Sequence, residues 1–246
     1  MLRELGFSRF AFDGSPENVP SFDVEVDALE EAGIELFAWW AGRRFPEADA
    51  IFEIIERRML KPQIWITGGG PPCRSPQEHR DRVEVELTRI RPFMETSARL
   101  GLQVGLYNHG GWFGEPEHQL ELIDRLNAEG FLNVGIVYNL HHAHAHLDRL
   151  AEILAILRPH LLALSVNGMV PDGEAKGMKI LPLSAGSEDV RIFRTIVASG
   201  WRGPIGILHH FDGDAKKRLE ENLIGLDRLV EHLKLDLAGR VSDTAR

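Results

Sequence analysis

Four histidines fall within six positions of the stretch NLHHAHAH, at 141, 142, 144 and 146. Imidazoles bind zinc-like ions, move protons near neutral pH, or act as plain hydrogen-bonding side chains. Two other apolar runs end on histidine: LYNHGG carries His109, and GILHH carries His209 and His210. His109, His142 and His209 (or His210), meeting in one pocket, would suit an ion or a proton-transfer step. Tyr107, Asn108, Trp112, Asn139 and Asn167 stand beside them as candidate substrate contacts. Lys176, in the loop DGEAKG, is a further candidate that would reach over the pocket.

The histidines of the tract are not equivalent. Alternation along an extended chain sends Val137 and Asn139 one way and Tyr138 the other. Asn139, and His142 after a turn, are therefore the inward candidates. His144 and His146 are expected at the start of a helix, about 200° apart and on different sides.

The ion itself depends on the donor set. Zn²⁺ accepts imidazole, whereas Mn²⁺ and Mg²⁺ favour carboxylates. Asn139 and Asn167 offer only neutral amide oxygens. Three readings stand: a divalent ion (Zn, Mn or Mg) on His109, His142 and His209; the same histidines as metal-free catalytic groups; or separate hydrogen-bonding roles. Other chemistries find little support. TGGGPP (67–72) lacks the Walker lysine and the GxGxxG spacing and reads as a tight turn, and no GxSxG occurs. Cys73 has no identifiable orienting histidine.

These residues must be held by something, and the sequence supplies a steady alternation. Apolar runs at 7–12, 34–40, 63–68, 102–109, 132–140, 161–167 and 203–210 read as strands. Amphipathic segments between them read as helices, among them 21–33, 46–59, 75–101, 115–130, 145–159, 187–200 and 214–236. Pro92 is expected to bend or split the third. Near-continuous apolar strands joined through helices are the mark of a buried parallel sheet, either a (β/α) barrel or an open doubly wound sheet. KILPLS (179–184) is a possible short eighth strand. The alternative is a chain that lacks the first β/α unit and exposes a sheet edge for a partner to cover.

Bulk properties narrow the partners. With 28 basic and 37 acidic residues the net charge is −9, a poor match to a nucleic-acid backbone. No run is long and apolar enough for a membrane span. One cysteine permits no internal disulfide, which fits a reducing, cytoplasmic setting. A single domain over 1–246 is expected.

The stretches LGFSRFAFDG, EEAGIELFAWW, GLQVGLYNHGG, NVGIVYNLHHAHAH, LLALSVNG and LPLSAGSEDVRIFRTIVASGWRGPIGI together resemble the xylose isomerase-like barrel superfamily. That group holds sugar-phosphate isomerases and epimerases and the type 2 AP-endonuclease fold. The resemblance implies a TIM-barrel-like fold in which residues 7–12 match the second strand, so that the first β/α unit is absent. It also implies a divalent metal on a glutamate, an aspartate, a histidine and a second glutamate. Here those positions fall at Tyr107, at Asn139, near Ser165 and at Leu208 or His209, while Asn167 takes a following acidic position and His142 is retained. The expected function is a sugar or polyol isomerase or epimerase working by aldose–ketose or epimerisation proton transfer. The alternative is a catalytically degenerate barrel that binds a carbohydrate or a partner protein. The implied partners are a small sugar or polyol and, over an incomplete edge, a second copy of the chain.

Overall fold

A strand covered by helices on one face and by its own sheet's interior on the other has no polar side to present, so it reads as a continuous apolar run. In the computed structural model such runs form β1 (Arg9–Asp13), β2 (Glu35–Gly42), β3 (Gln63–Thr67), β4 (Val104–Tyr107), β5 (Val134–Asn139), β6 (Leu161–Val166) and β7 (Ile205–Ile207). The structure describes residues 1–13, 19–43, 48–208, 210 and 213–244, with side chains as far as 235. Among these residues the seven strands follow chain order in one sheet. β1 to β5 pair in parallel, as do β6 and β7. The expected start of the second helix at Pro46 lies outside the described residues.

The intervening helices are α1 (Phe22–Ala32), α2 (Ala48–Arg57), α3 (Pro76–Leu100), α4 (Gly111–Gly114), α5 (Pro116–Ala128), α6 (Leu150–Leu157), α7 (Asp189–Ala198) and α8 (Ala215–Thr244). Local chemistry sets their ends. Ser75 accepts the Glu78 N–H at 3.1 Å to cap α3, and Gly101 closes it in the left-handed region. Pro92 does not split this helix, which runs unbroken through 25 residues. Buried Ile90 and Met94 flank the proline and anchor the helix on both sides of it.

Two other expectations are corrected. KILPLS is not a strand: Leu181 makes a single antiparallel bridge with Gly168, and Pro182 follows, unable to donate to a ladder. Nor does α6 begin at 145. His144–Arg149 form a 3-10 segment first, because side-chain contacts of its histidines, described below, hold the chain in a tighter turn.

The chain divides into two compact units, residues 1–137 with 160–162, and residues 138–159 with 163–246. In the first, fully buried Trp39 packs edge-on against Phe52 of α2 and lies 6.5 Å from Phe22 of α1. That fixes the helix-covered face of β2. In the second, buried Ile153 and Leu154 of α6, Ile192 of α7 and Leu229 of α8 form the core.

Candidate ligand site at the strand ends

In the first unit, β2, β3 and β4 present aromatic rings on the face opposite Trp39. Trp40 is the register partner of Trp65, and Trp65 of Gly105. Tyr107 lies two residues beyond Gly105 and so shares its face. The rings form a continuous row: Phe37–Trp65 at 6.2 Å, Trp65–Tyr107 at 5.7 Å, Tyr107–Trp40 at 6.5 Å and Trp40–His109 at 6.0 Å between centroids. Gly105 makes room for the row, since a Cβ there would stand 3.0 Å from Trp65 Cδ1. Phe37, Trp40 and Trp65 stay half-exposed, and His109 is exposed. Trp65 also donates its indole N–H to Gln63 Oε1 at 2.9 Å, which fixes its plane.

The loop that carries His109 is held from below. Asn108 is buried, and the His109 N–H donates to the Tyr107 carbonyl at 2.8 Å. Gly110 and Gly111 take positive φ, and a Cβ on Gly111 would lie 2.7 Å from the Gly70 carbonyl. The Trp112 N–H donates to that same carbonyl at 2.8 Å. Gly68 lies directly against the Phe113 ring. The glycines of TGGGPP thus serve close approach between two loops, in keeping with a tight turn rather than a phosphate cradle. Trp112 is buried, 1% exposed, instead of facing the open row.

The second unit uses its strand-end polar groups internally. Asn139 is fully buried and its Oδ1 accepts the His141 N–H at 3.1 Å, capping the 3-10 turn Leu140–His142. The rings of His141 and His142 stack at 4.1 Å, and His210 lies 6.1 Å from His141. His144 Nε2 and Asn167 Nδ2 both donate to the Lys179 carbonyl, at 2.9 and 3.2 Å. His146 Nδ1 lies 3.3 Å from the Tyr138 hydroxyl. Lys176 is exposed and donates to the Pro171 carbonyl at 2.7 Å. A small depression near the start of α8 is lined by Leu181, Pro182, Leu208, His210, Arg218 and Asn222.

Asp189 was not singled out by the sequence, yet it ties this unit's longest loop. One carboxylate oxygen accepts the Met169 N–H at 2.7 Å, and the other accepts the Gly186 N–H at 3.0 Å. Burial pushes its carboxyl up to about 6, against the pull of these N–H donors. In the sequence Asp189 lies at the start of the expected helix 187–200. Its range, 20 residues back to Met169, had no local signal.

The expected metal site is corrected. Among the described residues no group of three or more His, Cys, Asp or Glu side chains gathers closely enough to hold an ion. His109 ends an aromatic row, and His142 is stacked on His141. His209 lies outside the described residues. Asn139 Oδ1 accepts the His141 N–H, and Asn167 Nδ2 donates to the Gly168 and Lys179 carbonyls while its Oδ1 is buried without a hydrogen-bond partner. Among the described residues, no set of side chains fits Zn, Mn or Mg.

The sequence matches no protein-family model and no curated protein. Solved structures do match. A 3-keto-D-glucoside 4-epimerase from E. coli superposes with a TM-score of 0.61 at 17% identity, covering 93% of this chain and 91% of its own. The IolI protein with a bound zinc atom gives 0.68 at 12% identity, covering 94% and 91%. This chain has the xylose isomerase-like TIM-barrel fold. The D-psicose 3-epimerase of Clostridium cellulolyticum H10, solved with D-tagatose, has the same barrel, with a TM-score of 0.64 at 14% identity over 94% and 90%. A closed TIM barrel has eight strands; this one has seven among the described residues. Among those residues, no helix is long and apolar enough to cross a membrane.

Proposed function

We propose that the chain binds a small sugar or polyol on the aromatic row and acts on it by aldose–ketose isomerisation or epimerisation. The row of half-exposed Phe37, Trp65 and Trp40 around buried Tyr107, ending on exposed His109, is the observation that carries this reading. Such rings receive the C–H face of a sugar, while a few polar groups orient it. His109 is the base: its ring takes the proton from the carbon beside the carbonyl and, for isomerisation, returns it to the neighbouring carbon on the same face, whereas epimerisation needs a second proton donor on the opposite face. The enediolate between the two steps needs a hydrogen-bond donor, a role assigned to Tyr107 or Asn108. The structures of similar fold include epimerases of a sugar and of a keto-glucoside, which supports the substrate class.

A second reading is binding without turnover. It is favoured by Asn139 and Asn167, neutral residues engaged with backbone at strand ends. One experiment separates the two. The protein is incubated in D₂O with a panel of ketoses, aldoses and polyols, and ligand-observed NMR reports binding while proton spectra report deuterium at carbon. Binding with exchange that His109→Ala abolishes supports the enzyme. Binding with no exchange supports the second reading, and no binding by any member sinks both. The oligomeric expectation also stays a proposal: Ile205 on β7, 45% exposed, is an apolar edge residue that a second copy would cover. Light scattering that shows only monomer at high concentration would remove it.

A further inference from the structure

The first unit carries a polar cluster around Trp112, in the loop that follows the aromatic row. His79 of α3 places Nε2 2.7 Å from Glu121 Oε2 of α5. The Trp112 indole N–H donates to His79 Nδ1 at 3.1 Å. His118 lies flat on Trp112 at 4.6 Å, and its Nδ1 donates to the Trp112 carbonyl at 2.7 Å. The Arg82 guanidinium covers the indole at 5.8 Å and is paired with Glu78. An indole nitrogen only donates, so His79 Nδ1 must carry a lone pair. The ring proton then sits on Nε2 and faces the Glu121 carboxylate. Two helices therefore set one tautomer and one ring orientation, and that ring holds the indole three residues beyond His109.

We propose that His79 is a positioning residue, fixed by Glu121 as the Nε2–H tautomer, which holds the His109-bearing loop through the Trp112 indole. The inference rests on the reading of His109 above only for its functional consequence; the holding contact stands by itself. With His79 removed, the loop keeps its backbone tie to Gly70 but loses the side-chain anchor that sets where His109 stands. Asparagine at 79 places an amide oxygen where Nδ1 accepts, so it preserves the anchor; phenylalanine fills the space and accepts nothing.

Hydrogen–deuterium exchange on the full chain, compared for wild type, His79→Asn and His79→Phe, tests this. Peptides over 108–114 should exchange about tenfold faster in His79→Phe and stay near wild type in His79→Asn, with peptides of β6 and α7 unchanged in both. Uniform acceleration everywhere, or no change over 108–114, overturns the proposal, as does an asparagine variant as loose as the phenylalanine one. Imidazole ¹⁵N shifts give a second readout: wild-type His79 should show a bare Nδ1 and a protonated Nε2, and the reverse tautomer overturns the inference. If the loop responds as stated while no sugar binds the wild type, the ligand reading fails and the positioning role survives.

Discussion

The two units treat the ends of their strands in opposite ways. In the first, helices α3 and α5 send His79, Arg82, His118 and Glu121 to clamp the loop from beneath, and the rings of Phe37, Trp40 and Trp65 stay half-exposed. In the second, the strand-end side chains are themselves the clamps: Asn139 caps a turn, while Asn167 and His144 converge on one carbonyl. A polar side chain that satisfies its own backbone is not available to a ligand. The difference shows why the search for chemistry leads to the first unit, although the histidine tract that draws the eye lies in the second.

Acid should divide the units most strongly. Asp189 has its carboxyl raised from 3.8 to about 6, so the folded state holds that proton more tightly than the unfolded chain does. Its contribution is fully present below the unfolded value and is lost as pH rises through about 6, an effect of up to about 3 kcal/mol. Asp23, Glu56 and Glu129 of the first unit are held below the usual carboxylate range by arginine partners, Arg57 with Arg58, Arg99 and Arg91. Their contributions run the other way and fade as pH falls. Urea unfolding of wild type and Asp189→Asn between pH 4 and 7 checks this. Wild type should lose stability relative to Asp189→Asn as pH rises through about 6; a constant difference breaks the contrast.

Packing comes next. In Gly68→Ala the new methyl meets the Phe113 ring, at an expected cost of about 2 kcal/mol, read as a lower midpoint of denaturation. The loop tip of the second unit, from Asp172 to Met178, is exposed apart from Gly173, so Ala175→Ser there should leave stability unchanged. Equal effects would mean that the loops do not differ in rigidity. Ser75→Ala removes the cap of α3 and should cost about 1 kcal/mol, lowering the melting temperature by a few degrees without altering ligand binding. A small effect on stability is also expected of His109→Ala. That ring is exposed, so unfolding should shift by less than about 0.5 kcal/mol, while any sugar-dependent signal in titration disappears.

Much of the scaffold was legible because burial on both faces leaves its mark in the letters. IELFAWW and NVGIVYNL had no other sensible place than a sheet, and Gly101 announced the end of α3. KILPLS deceived because apolar content alone does not report pairing, and Pro182 withholds a donor. The site was only half legible. His109 and Tyr107 stand where strand order put them. His79 and Glu121 were missed because their meeting spans 42 residues and joins two helices. A hint was present: His118 and Glu121 are three apart, and so share a face of α5 close to the end that carries the loop. In the tract His141–His146, letters count histidines but do not show that His144 Nε2 donates to the Lys179 carbonyl or that His146 Nδ1 meets the Tyr138 hydroxyl.

The loop tied by Asp189 has one further consequence. Met169 and Gly186 are fastened to the same carboxylate, so the intervening excursion is closed at its neck like a drawstring. New residues can therefore be inserted near Gly177, itself in the left-handed region and with open space around its Cα, at little cost to folding. The Gly68–Gly70 turn has no such latitude, because each of its neighbours already occupies the space an insertion would need. Should this barrel acquire new specificities by drift or by design, the variation will collect in the drawn loop and spare the glycine turn.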